Sequence, residues 1–458
     1  MPDERKILEK MEAATVSPLA ILTFLNNYRK LRANESGEIA ESAISPVESL
    51  PDLDALPEGE GKKYLGATAI LKLNGGLGTG MGLEFAKSLL EVRDGKTFLD
   101  LIKDQILFLR KKTGVPLPFY ILNSFSTSED TGKWLQQHPE LDAKEILQNK
   151  VPKLRCDTLE PIEYPENPSL EWCPPGHGDL YASLPPDGTL QKLLDQGIHY
   201  LFVSNSDNLG ATLDLRILSY FAKSGAPFMM EVTARTEADK KGGHLAVQNG
   251  RLILRESAQC PAADMEEFQN ISKHRYFNTN NLWIHLPSLK AAMKRQGGVL
   301  QLPLIRNKKN VDPRDKNSPE VYQLETAMGA AIECFDGSIA LNVPRTRFAP
   351  VKTTSDLFTL RSDAYKISDT GEIQLIPERK NIPPVLVLPD SCKFVDAMEK
   401  LAPNGVPSLK NCEKLVLKGE LQFEKDVEIT GNVEIVAKSA KGIVTSGRYE
   451  TGRYEVDS

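Results

Sequence analysis

Long apolar runs are missing from this sequence, and no stretch approaches the ~18 consecutive apolar residues that a membrane-spanning helix needs. The first residues, MPDERKILEK, also lack the positively charged start and following apolar run that mark a secretory signal. We therefore expect a soluble, cytosolic protein that does not contact a membrane.

An excess of basic residues is missing too. Lys and Arg total 56 against 62 for Asp and Glu, which gives a net charge of −6. Nucleic acids need a concentrated basic face, so the composition argues against them as partners and requires any phosphate binding to be local. Cysteine is scarce, with six scattered residues and no C-x-x-C pair, which excludes a zinc finger and predicts reduced, structural thiols.

What is present is enough chain for two or three packed units, with 458 residues of which 40% are hydrophobic. Residues 1–63 predict two helices, the second beginning at Ser17-Pro18, followed by a linker rich in turn-forming residues. From residue 64 to 360, short apolar runs such as ATAILKL and HYLFVSNSD alternate with amphipathic helical patterns. This alternation predicts an α/β core with a mixed, mostly parallel sheet of Rossmann-like type.

Residues 361–458 form a third predicted unit with a six-residue repeat. Two series of apolar residues recur every six positions: Leu415, Leu421, Val427 and Val433, and Leu417, Phe423, Ile429 and Ile435. This spacing is typical of a left-handed parallel β-helix, expected over about residues 406–445, with an antiparallel hairpin stack as the alternative. The final GRYETGRYEVDS is predicted to be a loose tail.

A glycine-rich segment, residues 71–92, carries the clearest functional signal. The strand-like AILKL leads into five glycines between positions 75 and 82, and Lys87 follows. Glycines let backbone N–H groups approach a phosphate, and a lysine adds positive charge. The Walker motif fails because no G-K-[ST] ending is present, and the dinucleotide fingerprint fails because position 81 is Met. The segment predicts a phosphate-binding loop, with a ligand-free glycine turn as the alternative.

The run LNGGLGTGMG, residues 73–82, resembles the nucleotide loop of eukaryotic-type UDP-glucose pyrophosphorylases, above all the short forms of trypanosomatid parasites. The likeness continues through most of the chain. Seven further segments match in the family's order: QNKVPK (148–153), PPGHGD (174–179), SNSDNLGA (204–211), KKGGHL (240–245), FNTNNLW (277–283), YQLETAMG (322–329) and VPRTRFAPVK (343–352). Eight ordered matches leave little room for coincidence.

The resemblance implies a nucleotidyltransferase core that makes UDP-glucose and pyrophosphate, reversibly, from UTP and glucose 1-phosphate. In-line attack of a sugar phosphate oxygen on the UTP α-phosphorus needs positioning and charge neutralisation rather than a nucleophilic side chain. Mg²⁺ is the implied cofactor. Its expected ligand is Asp207, which follows the apolar run HYLFVSNS and so ends a strand of the sheet. A helix cap is the alternative role for Asp207.

The resemblance also implies roles for the other site residues. Lys87 and Lys352 match the family's essential lysines and are expected to neutralise UTP from two sides. The residues expected at the nucleotide are Leu73, Asn74, Gly75, Gly76, Gln148, Gly176 and Asp207. Those expected at the sugar phosphate are His177, Asn205, Gly243, Asn278, Asn280 and Glu325.

Three alternative functions remain. A broad-specificity UDP-sugar pyrophosphorylase, or a UDP-N-acetylglucosamine enzyme, keeps the chemistry and changes the sugar. A nicotinamide-dependent oxidoreductase would need an acidic residue after the second strand, where the sequence has Asn123. A binding protein with a degenerate site is disfavoured because both lysines and Asp207 are present. The sequence leaves open a monomer or a homo-oligomer formed through the C-terminal unit.

Overall fold

The computed structural model describes residues 2–35, 37–380 and 382–458. None of its helices combines the length and the apolar composition needed to cross a lipid bilayer. In these residues the α-helices are α1 Pro2–Ala13, α2 Pro18–Arg32, α3 Lys62–Leu65, α4 Phe98–Thr113, α5 Ser128–Gln137, α6 Leu180–Ser183, α7 Thr189–Asp195, α8 Leu215–Ser224, α9 Met265–Phe268, α10 Leu286–Arg295, α11 Thr354–Arg361 and α12 Val395–Leu401.

The β-strands are mostly short and distribute over one large sheet and several small ones. In chain order they are β1 Ser45–Pro46, β2 Thr68–Asn74, β3 Glu91–Arg93, β4 Lys96–Thr97, β5 Phe119–Asn123, β6 Ala143–Leu147, β7 Val151–Pro152, β8 Leu154–Arg155, β9 Trp172–Cys173, β10 Tyr200–Asn205, β11 Phe228–Ala234, β12 His244–Gln248, β13 Arg251–Arg255, β14 Tyr276–His285, β15 Ile305–Asn310, β16 Glu320–Glu325, β17 Ile339–Asn342, β18 Tyr365–Ile367, β19 Ile373–Leu375, β20 Val385–Val387, β21 Ser408–Lys418, β22 Leu421–Phe423, β23 Val427–Ala437, β24 Gly442–Val444, β25 Gly447–Tyr449 and β26 Gly452–Val456.

The two N-terminal helices form as predicted. The Ser17 side chain accepts a hydrogen bond from the Ala20 N–H, and Pro18 occupies the first turn of α2, where a missing N–H costs nothing. The buried face of α2, including Phe24 and Tyr28, belongs to the same apolar cluster as Val151 in β7. The helix is therefore packed against the segment that follows Gln148.

A ten-stranded mixed sheet forms the centre of the fold, and seven of its strands follow in the order β1-β12-β14-β10-β2-β5-β6. Of the other three, β11 pairs with β14 and β17, and β13 pairs with β12. Strands β10, β2, β5 and β6 run parallel, and β14 is antiparallel to β10. Every residue of β2 is buried, as expected of a central parallel strand covered on both faces. The predicted mixed α/β fold is confirmed.

The carboxyl ends of the central parallel strands meet at one edge of the sheet. Leu73 on β2 lies opposite Leu122 on β5 and Asn205 on β10. Ligands of open α/β folds bind at this edge, outside the strand ends. The fold therefore brings the glycine-rich loop after β2 next to the Asp207 loop after β10.

The C-terminal strands pair in parallel, in a five-stranded sheet of β20, β21, β23, β25 and β26 and a two-stranded sheet of β22 and β24. Leu415 lies opposite Val433, so the alternative of an antiparallel hairpin stack is wrong. The left-handed β-helix is not confirmed, because the described residues form no solenoid. Strands β21 and β23 each run for 11 residues, which exceeds the short face of a six-residue repeat.

The prediction of a loose tail is wrong. Strands β25 and β26 both pair in parallel with β23, with Gly447 opposite Val427 and Gly452 opposite Val433. The rings of Tyr449 and Tyr454 meet edge to face, with centroids 5.0 Å apart. In the repeated GRYE, charged side chains alternate with Gly and Tyr, which is the two-residue period of a strand. The backbone N–H and C=O groups of β23 provide the hydrogen-bond partners for this segment.

Candidate active site

A cleft of about 270 Å³ lies at the carboxyl edge of the parallel strands. It is lined by Leu73, Gly75, Gly76, Lys87, Leu122, Gln148, Pro174, Gly176, His177, Asn205, Ser206 and Asp207. All but Leu122, Pro174 and Ser206 were expected at the substrate. Pro174 and Ser206 lie inside matched segments, and Leu122 is the last residue but one of the neighbouring strand β5, so position alone could have found these three.

The glycine-rich loop approaches the cleft closely because it carries no side chains there. A Cβ on Gly75 would lie 2.9 Å from Oε1 of Gln148, so this position is in tight contact with the opposite wall. The N–H of Lys87 donates to the carbonyl of Gly76 at 3.1 Å, which folds the loop back on itself. Lys87 is thereby brought to the cleft beside the loop backbone.

Asn74 supports this loop from below. Its Nδ2 donates to Oδ1 of Asn123 at 2.7 Å and to Oγ1 of Thr131 at 2.9 Å, while its Oδ1 accepts from Oγ of Ser206 at 3.3 Å. The side chain is 2% exposed. The structure thus places the Asn74 side chain in a buried brace between strand ends, rather than in the cleft lining.

Lys87 and Asp207 form an ion pair at the cleft. Nζ of Lys87 lies 2.7 Å from Oδ2 of Asp207, and the two side chains are 15% and 19% exposed. The second carboxylate oxygen, Oδ1, is buried and has no hydrogen-bond partner among the described residues. A half-paired carboxylate suits a hard cation such as Mg²⁺. The described residues contain no group of three or more His, Cys, Asp and Glu that could hold a metal ion.

A buried lysine lies behind the Asp207 loop, and the sequence analysis missed it. Lys72 is 2% exposed, and its Nζ donates to Oγ of Ser204 and to the carbonyl of Ala211, each at 2.8 Å. Burial lowers the pKa of Lys72 to about 7. A lysine inside the apolar run AILKL is the signal that could have found it. It joins the two ends of the loop that carries Asp207.

The opposite wall of the cleft is set by Gln148 and Gly176. Nε2 of Gln148 donates to the carbonyl of Gly176 at 2.7 Å, which fixes the direction of the amide. Gly176 has a φ of +79°, and a Cβ there would lie 2.5 Å from the carbonyl oxygen of Thr326. Only glycine fits this conformation and this contact, so the wall has a defined shape.

Asp179 braces that wall from the N-terminal side. Its buried carboxylate accepts from the Asn149 N–H and from Oγ of Ser183, both at 2.7 Å. Burial raises the pKa of Asp179, with these hydrogen bonds opposing the shift. Ser17, the cap of α2, donates from Oγ to Oδ1 of Asn149 at 3.1 Å. The N-terminal helix is thus hydrogen-bonded to the residue next to Gln148.

His177 lines the cleft as a neutral hydrogen-bond donor. The Met328 N–H donates to Nδ1 of His177 at 2.9 Å, so the ring proton is carried on Nε2. Burial, with the charge of Lys352 adding to its effect, lowers the pKa of His177 to about 4. At neutral pH the ring therefore offers an uncharged N–H without the desolvation cost of a buried imidazolium.

The structure brings three of the predicted sugar residues together. The Asn278 N–H donates to the carbonyl of Gly243 at 3.2 Å, and Nδ2 of Asn278 donates to Oδ1 of Asn280 at 2.9 Å. The Asn280 N–H donates back to Oδ1 of Asn278 at 2.9 Å, and Asn280 adopts a φ of +59°. A Cβ on Gly329 would lie 3.0 Å from Nδ2 of Asn278, which joins this turn to the segment that holds His177.

Glu325 and Lys352, also expected at the substrate, are not among the residues that line the cleft. Glu325 ends β16, and its Cβ lies 3.1 Å from the position of a Cβ on Gly176. Lys352 is exposed, with Nζ 6.0 Å from the ring centroid of Phe348. Burial raises the pKa of Glu256, and the charge of Lys352 opposes that rise. Lys352 is thus within electrostatic reach of both His177 and Glu256, which itself packs against Gly243.

His244, the residue after Gly243, stacks against a second buried imidazole. The rings of His244 and His274 lie 4.0 Å apart between centroids, and Nε2 of His274 contacts Oε1 of Glu41 at 2.9 Å. Burial lowers the pKa of His244 to about 3, with the charge of His274 adding, and burial also lowers the pKa of His274. Through Glu41, this stack connects the segment that follows Gly243 to the N-terminal linker.

We expect the stack to make the fold sensitive to acid. Because the folded pKa of His244 is about 3 against an ordinary 6.5, the unfolded chain binds protons that the folded chain excludes. The free energy of unfolding should therefore fall below pH ~6.5, by about 1.4 kcal/mol per pH unit for this ring. Thermal unfolding from pH 7.5 to 5 measures the slope. His244→Phe, which keeps an aromatic ring, should flatten it, and an unchanged slope would contradict this account.

Comparison with known proteins gives one consistent family. The family model described as UTP–glucose-1-phosphate uridylyltransferase matches residues 21–430. A probable UTP–glucose-1-phosphate uridylyltransferase of Schizosaccharomyces pombe is 41% identical over 402 residues, covering 86% of this chain and 78% of the relative. The enzyme of that name from Encephalitozoon cuniculi is 38% identical over 442 residues, covering 95% of this chain and 87% of its own.

Solved structures agree across the full length of the chain. A variant UDP-glucose pyrophosphorylase from Leishmania major, crystallised with UDP-glucose, is 46% identical with a TM-score of 0.95, covering 99% of both chains. A UDP-glucose phosphorylase from Trypanosoma brucei is 48% identical with a TM-score of 0.93, covering 100% of both chains. The resemblance read from the sequence motifs is confirmed, and the chain belongs to the UTP–glucose-1-phosphate uridylyltransferase family.

Proposed function

We propose that this protein transfers the uridylyl group of UTP to glucose 1-phosphate, releasing pyrophosphate and forming UDP-glucose in a reversible reaction. The observation that carries the proposal is the Lys87–Asp207 pair, which shares one cleft with the glycine-rich loop and with the Gln148–Gly176 wall. The Lys87 cation and the backbone N–H groups of the glycine-rich loop suit the phosphates of a nucleoside triphosphate. The half-paired carboxylate of Asp207 suits a cation bound to those phosphates, and the fixed amide of Gln148 suits the base. The oxidoreductase alternative has no support from the family of this chain.

The reaction needs alignment and neutralisation more than covalent help from the protein. A phosphate oxygen of glucose 1-phosphate forms a bond to the α-phosphorus of UTP, and the bond from that phosphorus to the oxygen that bridges the α- and β-phosphates breaks, so that this oxygen leaves with pyrophosphate. Lys87, the N–H groups of the glycine-rich loop and Nε2 of His177, which lie at the cleft, are proposed to stabilise the negative charge on these oxygens. Lys352 is proposed to neutralise the phosphates from the other side.

Mg²⁺ forms part of this proposal. Asp207 would hold the ion, since among the described residues its Oδ1 has no protein partner and its Oδ2 accepts only from Lys87. The bound ion would supply additional neutralisation of the phosphate charge.

Recognition of base and sugar follows from fixed amides around the cleft. Gln148, whose amide is held by Gly176, is proposed to read the uracil edge, and Leu73 to pack beneath it. The paired side chains of Asn278 and Asn280 offer both donors and acceptors. With Asn205, Glu325 and the backbone of Gly243, they are proposed to bind the glucose hydroxyls and phosphate.

The contact between Gly75 and Gln148 gives a test of base recognition. In Gly75→Ala the new methyl would lie 2.9 Å from Oε1 of Gln148 and displace the amide. Losing one hydrogen bond of this kind should raise the KM for UTP about 10-fold with little change in kcat. Gly132→Ala in α5, where a Cβ meets nothing within 4 Å, is the matched control and should leave KM unchanged. Equal KM values for the two variants would remove Gln148 from base recognition.

The function itself is tested by pyrophosphate release. UTP and Mg²⁺ are mixed with glucose 1-phosphate, galactose 1-phosphate, N-acetylglucosamine 1-phosphate or a pentose 1-phosphate, beside ATP, GTP and dTTP controls. Release with UTP and glucose 1-phosphate alone is the expected result. Similar rates with several sugars would move the assignment to a broad UDP-sugar enzyme, and no release with any pair would leave a binding role.

The proposal extends to the working state of the protein. We place residues 1–63, 64–360 and 361–458 as an N-terminal segment, a catalytic core and a C-terminal unit of a cytosolic monomer or homo-oligomer. The edge strand β20 leaves Val385 and Val387 52% and 45% exposed. An exposed apolar edge favours strand pairing with another chain, so any homo-oligomer is expected to form through the C-terminal unit.

A further inference from the structure

Asn208, the residue after Asp207, links two loops of the site. It is 1% exposed, so its side-chain contacts are fully shielded from solvent. Oδ1 accepts from the Ala349 N–H at 3.1 Å, and Nδ2 donates to the carbonyl of Arg347 at 3.1 Å and to Oδ1 of Asn281 at 3.3 Å. Both polar atoms of this amide therefore bond to the segment before Lys352, and Nδ2 also bonds to Asn281.

The backbone reinforces this link. The Val351 N–H donates to the carbonyl of Asp207 at 3.2 Å, and Asn208 and Pro350 form an antiparallel bridge. A Cβ on Gly210 would lie 2.2 Å from the carbonyl oxygen of Thr346, so the two segments touch there without room for a side chain. Lys352 follows directly, and its position is set relative to Asp207 by these contacts.

A buried ion pair holds the far end of the link. Arg347 donates from Nε to Oε2 of Glu231 at 2.8 Å and from Nη2 to Oε1 at 2.9 Å. The two side chains are 8% and 0% exposed, and Nε1 of Trp283 also donates to Oε1 of Glu231 at 2.9 Å. Such a bidentate pair in the core has one geometry. The Arg347 carbonyl is therefore a fixed point to which the amide of Asn208 is bonded.

We infer that Asn208 is a positioning residue that sets the separation of Asp207 and Lys352, and so aligns the metal ligand with the second phosphate-neutralising lysine. The inference rests on the proposed function of these two groups. Asn208 touches no substrate in this role. It acts through Lys352, because the segment it bonds, residues 347–351, directly precedes that lysine.

A double-mutant cycle on pyrophosphate release tests this inference. Asn208→Ala should lower kcat about 100-fold, as expected when a catalytic group is displaced by about an ångström. In a Lys352→Ala background the same change should cost about 3-fold or less, since the group it positions is already absent. KM for UTP should change little in either background.

Asn342→Ala is the matched control. Asn342 ends β17 away from the cleft, and its Nδ2 donates to Oδ2 of Asp52 at 2.5 Å. Its removal should lower the melting temperature while leaving kcat within about 2-fold, because surface and support hydrogen bonds contribute to stability alone.

The outcomes separate this inference from the proposed function. An inactive wild-type protein would refute the proposed function before any variant is compared. With active wild type, an equal loss from Asn208→Ala in both backgrounds, or no loss, would overturn the positioning role. Asn208→Asp keeps the oxygen that accepts from Ala349 but turns an acceptor toward the carbonyl of Arg347 and Oδ1 of Asn281, so it should lose kcat like Asn208→Ala, again only when Lys352 is present. Failure of both Asn208 variants to fold would also overturn it, since the residue would then be purely structural.

Discussion

Replacing Lys87 by methionine is expected to lower kcat for pyrophosphate release about 100- to 1,000-fold, the usual cost of removing one donor aimed at developing charge. Nζ of Lys87 is held 2.7 Å from Oδ2 of Asp207 and is mostly shielded, at 15% exposure, so its charge acts at reduced dielectric screening. Methionine keeps the unbranched apolar stem of the lysine side chain and removes the terminal ammonium group. The Michaelis constants should change less than kcat, because the charge on the phosphates is greatest in the transition state.

Two further variants make the Lys87 result specific. Lys87→Arg keeps the charge and should retain more activity than Lys87→Met, with some loss because a guanidinium does not fit a site built for an ammonium. Lys133→Met changes a surface lysine, 65% exposed and paired with Glu129, and should leave turnover unchanged. Undiminished turnover in Lys87→Met would exclude Lys87 from catalysis.

The parts of the fold that the sequence predicts are those whose determinants are local. Strand β2 is an apolar run buried throughout, and α2 starts with a serine cap followed by proline, so a short window contains the whole signal. The C-terminal residues differ. Strand β26 is polar and becomes ordered because β23 provides a partner, and a partner in space cannot be read from a window. This is why GRYETGRYEVDS was predicted as a tail.

The candidate site shows the same division. Most residues lining the cleft fall in segments that match the family in order, so their positions followed from the resemblance. The supporting contacts did not. Asn208 bonds to Ala349, and Lys72 bonds to Ser204 and Ala211, across more than 130 residues of chain. No periodicity or spacing records such pairs. A charged residue in an apolar strand, as at Lys72, indicates that a partner exists but not which one.

In this acidic chain, the positive charge available to a phosphate is confined to a few side chains. With a net charge of −6, the chain has no general attraction for phosphate, and binding depends on a few fixed cations. Lys87 and Lys352 come from distant segments, and the contacts of Asn208 join the second to the loop of Asp207. Under the proposed function, the anion would meet a local site whose charges are positioned before it binds.

Asp207→Asn is expected to lower kcat about 100-fold and to weaken the apparent affinity for Mg²⁺. Loss of the charge stabilisation that a metal provides costs several kcal/mol, and about 1.4 kcal/mol corresponds to a tenfold change in rate. One carboxylate oxygen of Asp207 accepts from Lys87, and the other is buried without a partner in the described part of the chain. The amide of asparagine would replace one of these two oxygens by an NH₂ group, which can neither accept from Lys87 nor bind a cation. A Mg²⁺ titration of pyrophosphate release should show a raised half-saturation point. Asp104→Asn, which alters a carboxylate paired with Lys96 away from the cleft, should titrate like wild type. If Asp207→Asn lost activity with an unchanged Mg²⁺ midpoint, Asp207 would act only by holding Lys87, and the metal would have to be bound by substrate phosphates alone.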